Sequence, residues 1–121
     1  MIKKILAVDD SPTILAIIQD MLESAGYEVL SAVDGQEALD KARKEKPDLI
    51  ILDIMLPKLD GYKVCSMLKL DPNYKNILII FLTALSQESA EKMCSEATAD
   101  AYITKPFEPE ILLSTIKELL K

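Results

Sequence analysis

Asp48-Leu49-Ile50-Ile51-Leu52-Asp53 decides the fold: four branched apolar residues stand in succession between two acids, with Pro47 just before them. A run that short, bounded by turn chemistry, reads as a strand buried on both faces, as in a parallel sheet covered by helices. Asp53 is the exception. A carboxylate ending the most apolar strand must be hydrogen-bonded, paired or metal-bound, because an isolated buried charge is prohibitively costly. Taken alone, Asp53 reads more readily as an acid already outside the strand that caps the next turn. The residues around it reverse that preference.

Working outward, residues 5–8 form a first buried strand that runs into Asp9-Asp10. Ser11-Pro12 supplies an N-cap and a first-turn proline, and the helix that follows carries the stripe Ile14, Ile17, Ile18, Met21, Leu22 and Ala25 until Gly26. Residues 28–32 form a shorter, more polar second strand. Asp34 caps a helix with Ala38, Leu39 and Ala42 inward, stopped by Pro47. Beyond Asp53, Met55-Leu56-Pro57-Lys58-Leu59-Asp60-Gly61 is a loop, and residues 62–70 form a helix burying Val64, Cys65 and Leu68. Asp71-Pro72-Asn73 breaks it. Residues 77–82 are a fourth, wholly apolar strand, and Ser86 caps a helix with Ala90, Met93, Cys94 and Ala97 on one side. Residues 101–104 are a short fifth strand, and a closing helix over 111–120 turns Leu112, Thr115, Ile116 and Leu119 inward.

Strand and helix thus alternate five times with no linker and no internal repeat. Right-handed crossovers then give a parallel sheet with helices on both faces, a doubly wound α/β fold. The first, third and fourth strands are apolar throughout and suit the interior; the second and fifth carry polar positions and suit edges. That polarity matches the flavodoxin-like (βα)5 strand order 2-1-3-4-5, whose ligands sit at the carboxyl ends of the strands where the order reverses.

The chain has 121 residues and half of them are hydrophobic, so one domain with a real core is expected. A net charge of −6 argues against direct nucleic-acid binding, which needs a basic face. Cys65 and Cys94 lack CxxC spacing and read as small core hydrophobes in a reducing compartment. The apolar start meets Asp9-Asp10 too soon for a signal peptide, and no run is long enough to span a bilayer. A soluble, cytoplasmic protein without membrane partners is expected.

The predicted sheet brings Asp9, Asp10 and Asp53 to one crevice, in a chain that has no histidine. Like charges that close cannot all stay ionised without a counter-ion. An oxygen-only acidic cluster suits a hard cation, and Mg²⁺ with retained waters fits it. Thr83 ends the fourth strand, and the fifth runs into Lys105-Pro106. Acids, a hard metal, a hydroxyl and a lysine together make a phosphoryl site, with a carboxylate to accept the group. Each piece has a plainer reading: solvated acids, a turn threonine, a surface lysine. Their convergence at one end of successive strands carries the weight.

Val8-Asp9-Asp10-Ser11, Asp34-Gly35, Leu52-Asp53-Ile54-Met55-Leu56-Pro57, Asp60-Gly61, Leu82-Thr83-Ala84 and Thr104-Lys105-Pro106-Phe107 stand in an order and spacing that closely resemble the receiver domain of two-component response regulators. The resemblance covers essentially the whole chain. It implies that Asp53 is phosphorylated from a histidine on a sensor kinase or phosphotransfer protein. It implies Mg²⁺, or Mn²⁺ in its place, on Asp10, Asp53 and the Met55 carbonyl, with Asp9 acting through water. Thr83 and Lys105 would bind the phosphoryl oxygens, the Lys105–Pro106 bond would be cis, and Tyr102 would swing inward as Thr83 moves. Met55 and Leu85 would stand at the pocket mouth and tune phosphoryl lifetime.

The implied output is altered affinity for a target protein through the fourth helix, fifth strand and fifth helix. Enzyme activity beyond self-phosphoryl transfer and hydrolysis is not expected. Two departures from the family pattern stand out: Thr98-Ala99-Asp100-Ala101-Tyr102 lacks a frequent glycine and second acid, and Ser114 stands where many DNA-binding members carry an arginine for dimer salt bridges. A monomer or a weak, phosphorylation-dependent dimer is expected. Three rivals remain. One is a receiver cut from a longer regulator, and Asp60-Gly61-Tyr62-Lys63-Val64-Cys65 also looks like receivers fused to cyclase or kinase outputs. Another is an Asp-nucleophile phosphatase, which needs a second acid where Met55 stands. The third, a nucleotide- or flavin-binding protein, lacks a Gly-rich loop after the first strand.

Overall fold

The structure, a computed structural model, describes residues 2–121. Strands β1 (Lys4–Val8), β2 (Glu28–Ala32), β3 (Leu49–Leu52), β4 (Leu78–Thr83) and β5 (Ala101–Thr104) form one sheet in the order β2-β1-β3-β4-β5. All its pairings are parallel, with Val8 opposite Leu52, Leu52 opposite Phe81 and Thr83 opposite Thr104. Between them run α1 (Pro12–Ser24), α2 (Gly35–Glu45), α3 (Gly61–Lys69) and α4 (Gln87–Ala97), and α5 (Pro109–Leu119) closes the chain. The expected doubly wound fold and strand order are therefore present.

Side-chain alternation along the central strands builds two cores. Leu6, Val8, Ile50, Leu52, Ile79 and Phe81 pack toward α2, α3 and α4. Ile5, Ala7, Leu49, Ile51, Ile80 and Leu82 face α1 and α5. β3 is buried at every position, which is why it reads as an unbroken apolar run.

The α1 stripe departs from expectation. Leu15, Ile18 and Leu22 are the buried residues, while Ile17 is 47% exposed and Ala25 is exposed at the C-cap. The inward arc is centred on Ile18, and Ile17 lies a full helical step away, at its margin. An isoleucine-rich segment hides that phase, because Ile14, Leu15, Ile17 and Ile18 are all apolar.

Ser11, Asp34 and Ser86 cap their helices by accepting from the backbone N–H groups of Ile14, Glu37 and Ser89, as read from the sequence. Asp60 does the same for α3 through Lys63, so that helix begins one residue earlier than the sequence suggests. Both cysteines are free thiols, Cys65 buried and Cys94 half-buried. Burial pushes the Cys65 thiol up to about 12 and the Cys94 thiol in the same direction. Among the described residues no helix is long and apolar enough to cross a membrane.

Asp100 is the hub at the start of β5. One carboxylate oxygen accepts from the Ile79 backbone N–H and from the Lys69 ammonium, each at 2.8 Å. Lys69 also donates to the Ile77 carbonyl at 2.8 Å, tying α3 to β4 and β5. The acid retained in the Thr98–Tyr102 stretch is thus structural.

Candidate functional site

β2 lies on one side of β1 and β3 on the other, so the chain leaves β1 and β3 in opposite directions. A crevice opens between their carboxyl ends, as the strand order requires. Asp53 still donates its backbone N–H to the Val8 carbonyl, so it sits at the very end of the ladder and not in the turn beyond. Both readings of this residue contain some truth: Asp53 Oδ1 accepts from the Met55 backbone N–H at 3.1 Å, a local turn contact. The other oxygen faces the crevice.

There the Lys105 ammonium stands 3.0 Å from Asp53 Oδ2 and 2.6 Å from Asp9 Oδ2. Asp9 and Asp53 are buried, whereas Asp10 is exposed. Burial alone would pull the Lys105 ammonium down, but its hydrogen bonds to Asp9 and Asp53, with their negative charge, outweigh that and raise it. Lys105 is therefore a fixed cation between two buried carboxylates. The Lys105–Pro106 bond is cis, and the Lys105 backbone N–H donates to the Thr83 carbonyl at 2.7 Å.

One carboxylate oxygen each from Asp9, Asp10 and Asp53 lies within 4.8 Å of the others. Three carboxylates against one ammonium leave two negative charges in the crevice. A divalent cation matches that residue of charge, and an all-oxygen donor set with one exposed member suits Mg²⁺ with retained waters. The residues present therefore fit the metal.

Thr83 is fully buried and its hydroxyl oxygen accepts from the Leu85 backbone N–H at 3.3 Å. Tyr102 is half-buried and packs with the α2–α3–α4 core, opposite Phe81 on the same side of the sheet. It does not pack on α5, whose core neighbours on β5 are Ala101 and Ile103. Met55 is 60% exposed and Leu85 half-buried, each bonded through its backbone N–H to a residue of the site.

Two glycines shape this edge, although they entered the sequence reading only as parts of a pattern. A Cβ at Gly61 would lie 2.0 Å from the Asp53 carbonyl oxygen, and one at Gly35 would lie 1.6 Å from that of Leu59. Backbone approaches that close admit only glycine. The Gly61 N–H then reaches the Ile54 carbonyl at 2.8 Å and the Gly35 N–H reaches that of Pro57 at 3.2 Å, pinning the β3–α3 loop. Asp34 holds the same loop through Lys58, 3.5 Å away. The Glu37 N–H keeps the Asp34 carboxyl below its ordinary range, with Lys58 adding to this against the opposing effect of burial. The paired signals Asp34-Gly35 and Asp60-Gly61, a cap followed by a glycine, could have located both contacts.

The sequence profile of the response regulator receiver domain matches residues 5–117. The chain belongs to the response regulator receiver family. The receiver is 48% identical, over 98% of its length, to the alkaline phosphatase synthesis transcriptional regulatory protein PhoP of Bacillus subtilis (strain 168), of which it spans 49%. It therefore covers about half the length of that curated relative. The structure matches a chain from Chloroflexus aurantiacus J-10-fl assigned as a response regulator, with TM-score 0.94 and 39% identity, over 99% of this receiver and 98% of that chain. It matches the chemotaxis response regulator CheY4 of Vibrio cholerae with TM-score 0.91 and 36% identity, over 98% and 99%.

Proposed function

We propose that this receiver is a phosphorylation-controlled switch whose phosphoacceptor is Asp53. The observation that carries the reading is the Lys105 ammonium, 3.0 Å from a buried Asp53 oxygen at the end of β3. Asp53 Oδ2 attacks the phosphorus of a phosphohistidine on a sensor kinase or phosphotransfer protein. The new O–P bond forms as the P–N bond breaks, and the imidazole nitrogen keeps the electron pair. Lys105 stabilises the oxygens of the transferring group, and the Thr83 hydroxyl turns from Leu85 to donate to one of them. The Met55 N–H holds the carboxylate in orientation throughout. Mg²⁺ or Mn²⁺, held by Asp10, Asp53 and the Met55 carbonyl with Asp9 through water, would neutralise the developing charge.

The domain is catalytic only toward its own phosphoryl group. Its position two after Asp53 is Met55 and not an acid, which disfavours a general phosphatase. Output through α4, β5 and α5 to a target protein is supported by Tyr102, which stands on β5 and packs with the core that α4 covers, and by Thr83 at the end of the neighbouring strand. No nucleic acid is bound directly at a net charge of −6, and the setting is the cytoplasm. Ser114 is exposed on α5 and supplies no cation for a dimer salt bridge, which favours a monomer or a weak dimer.

A second reading is favoured by the half-length coverage of PhoP, a transcriptional regulator by name: this receiver would then serve a longer regulator with its own output domain. Asp53 chemistry is common to both. Incubation with phosphoramidate and Mg²⁺ should add one phosphoryl group by intact mass to the wild type and none to Asp53→Asn. Equal labelling of the two proteins would refute the site.

A further inference from the structure

A groove of about 680 Å³ runs between the β3–α3 loop and α4, with Asp10, just before α1, at one end. Beyond the buried Ile54, its apolar wall includes Met55, Leu56, Tyr62, Leu85 and Met93, none of them fully buried and Met55 60% exposed. Two thioethers in one wall make it adaptable to the shape of an apolar guest. Its polar residues include three acids, Asp10, Asp60 and Glu96, and no lysine or arginine. Asp10 belongs to the proposed metal set, so Asp60 and Glu96 form the acidic rim, and among the described residues neither of these two has a salt-bridge partner.

We propose that this groove docks a cationic amphipathic helix of a partner protein. The charge pattern selects the occupant. An acidic rim repels nucleotides, nucleic acid and anionic headgroups, and a second copy of this chain would bring the same surplus of acids at net charge −6. A helix with apolar residues at i, i+4 and i+7 and lysines beside them satisfies wall and rim together.

The docked segment would touch the phosphoryl chemistry. Met55 and Leu85 are the groove residues whose backbone N–H groups bond to Asp53 and Thr83. A helix lying on their side chains covers the approach to Asp53 and keeps hydrolytic water out. This consequence rests on Asp53 being the phosphoacceptor; the docking itself does not.

The test uses the protein with ¹³C-methyl methionine and a synthetic amphipathic helix carrying a leucine ridge flanked by lysines. Met55 and Met93 report on the groove; Met21, packed with the α1–α5 core, and Met67, on the outer face of α3, are internal controls. Saturable shifts of Met55 and Met93, with Met21 and Met67 unmoved and with affinity reduced about tenfold by Glu96→Lys, are expected. A glutamate-flanked version of the peptide should not bind. Equal binding of that version, equal shifts at all four methyls, or concentration-dependent shifts without peptide would each overturn the proposal, the last in favour of a second copy. On protein phosphorylated with phosphoramidate, saturating peptide should lengthen the phosphoryl lifetime at least severalfold. An unchanged lifetime with the peptide seated would overturn its place over the pocket mouth. Failure to take up phosphate at all would overturn the Asp53 reading and leave the methyl shifts to decide the docking.

Discussion

Lys105 does two things that pull against each other. Its ammonium compensates Asp9 and Asp53 and so makes two buried acids tolerable, yet it is bonded to the Asp53 oxygen that would attack in the proposed phosphoryl transfer. Asp10 is free of that pairing and exposed, so in the proposed site it would be the first ligand a cation meets. Asp10→Ala should therefore leave the fold intact and abolish Mg²⁺-dependent shifts near Asp53; unchanged metal affinity would remove Asp10 from the ligand set. Met55 and Leu85 would act later, on the phosphorylated protein. A thioether and an isobutyl group at the mouth cannot orient a water for in-line attack, and losing such a positioning contact typically costs roughly a hundredfold in rate. We expect slow self-dephosphorylation, accelerated at least severalfold by Met55→Asn with Leu85→Glu in one protein, with little effect on metal binding. A phosphoryl half-life that the pair does not move would mean that these side chains only pack on the loop.

At the scale of elements, side-chain caps start α1 to α4, and the two glycines let the β3–α3 loop lie against its neighbours. Strand positions were legible because burial on both faces leaves a short apolar run that nothing else explains. The phase of α1 was not, since four of its apolar residues fall within one turn and a half and only packing tells Leu15 from Ile17. The Asp100 hub was invisible for another reason: its partners Lys69 and Ile79 are far away in sequence. Asp100→Ala leaves the Ile79 N–H without its partner and takes the counter-ion from a largely buried Lys69 ammonium that keeps its bond to the Ile77 carbonyl, and should cost about 2 kcal/mol of unfolding free energy, read from a lower denaturant midpoint at unchanged slope. Glu118→Gln, which breaks the exposed pair with Lys121, should stay within about 0.5 kcal/mol. Equal effects of the two would show that the hub is no anchor.

For the molecule as a whole, the sheet order alone brings Asp9, Asp10, Asp53, Thr83 and Lys105 to one edge, and that edge was legible because acids ended apolar strands. What the sequence could not convey was the division of labour within it: which acid is exposed, which pairs with Lys105, and that Thr83 rests on Leu85. Tyr102 lies on the side of the sheet that α4 covers, and Thr83 ends the strand beside it, so a phosphoryl group on Asp53 would have a short route to the proposed output face. Such a change shifts a two-state population through differential contacts. The most direct measurement is the set of backbone amide shifts on adding Mg²⁺ and beryllofluoride, a mimic of the phosphoryl group. Shifts should extend from Asp53 to Ala84, Leu85 and residues 101–104, and be much smaller at Val29 and Leu39. Shifts confined to Asp53 and its metal-binding neighbours would contradict a switch that reaches α4, β5 and α5.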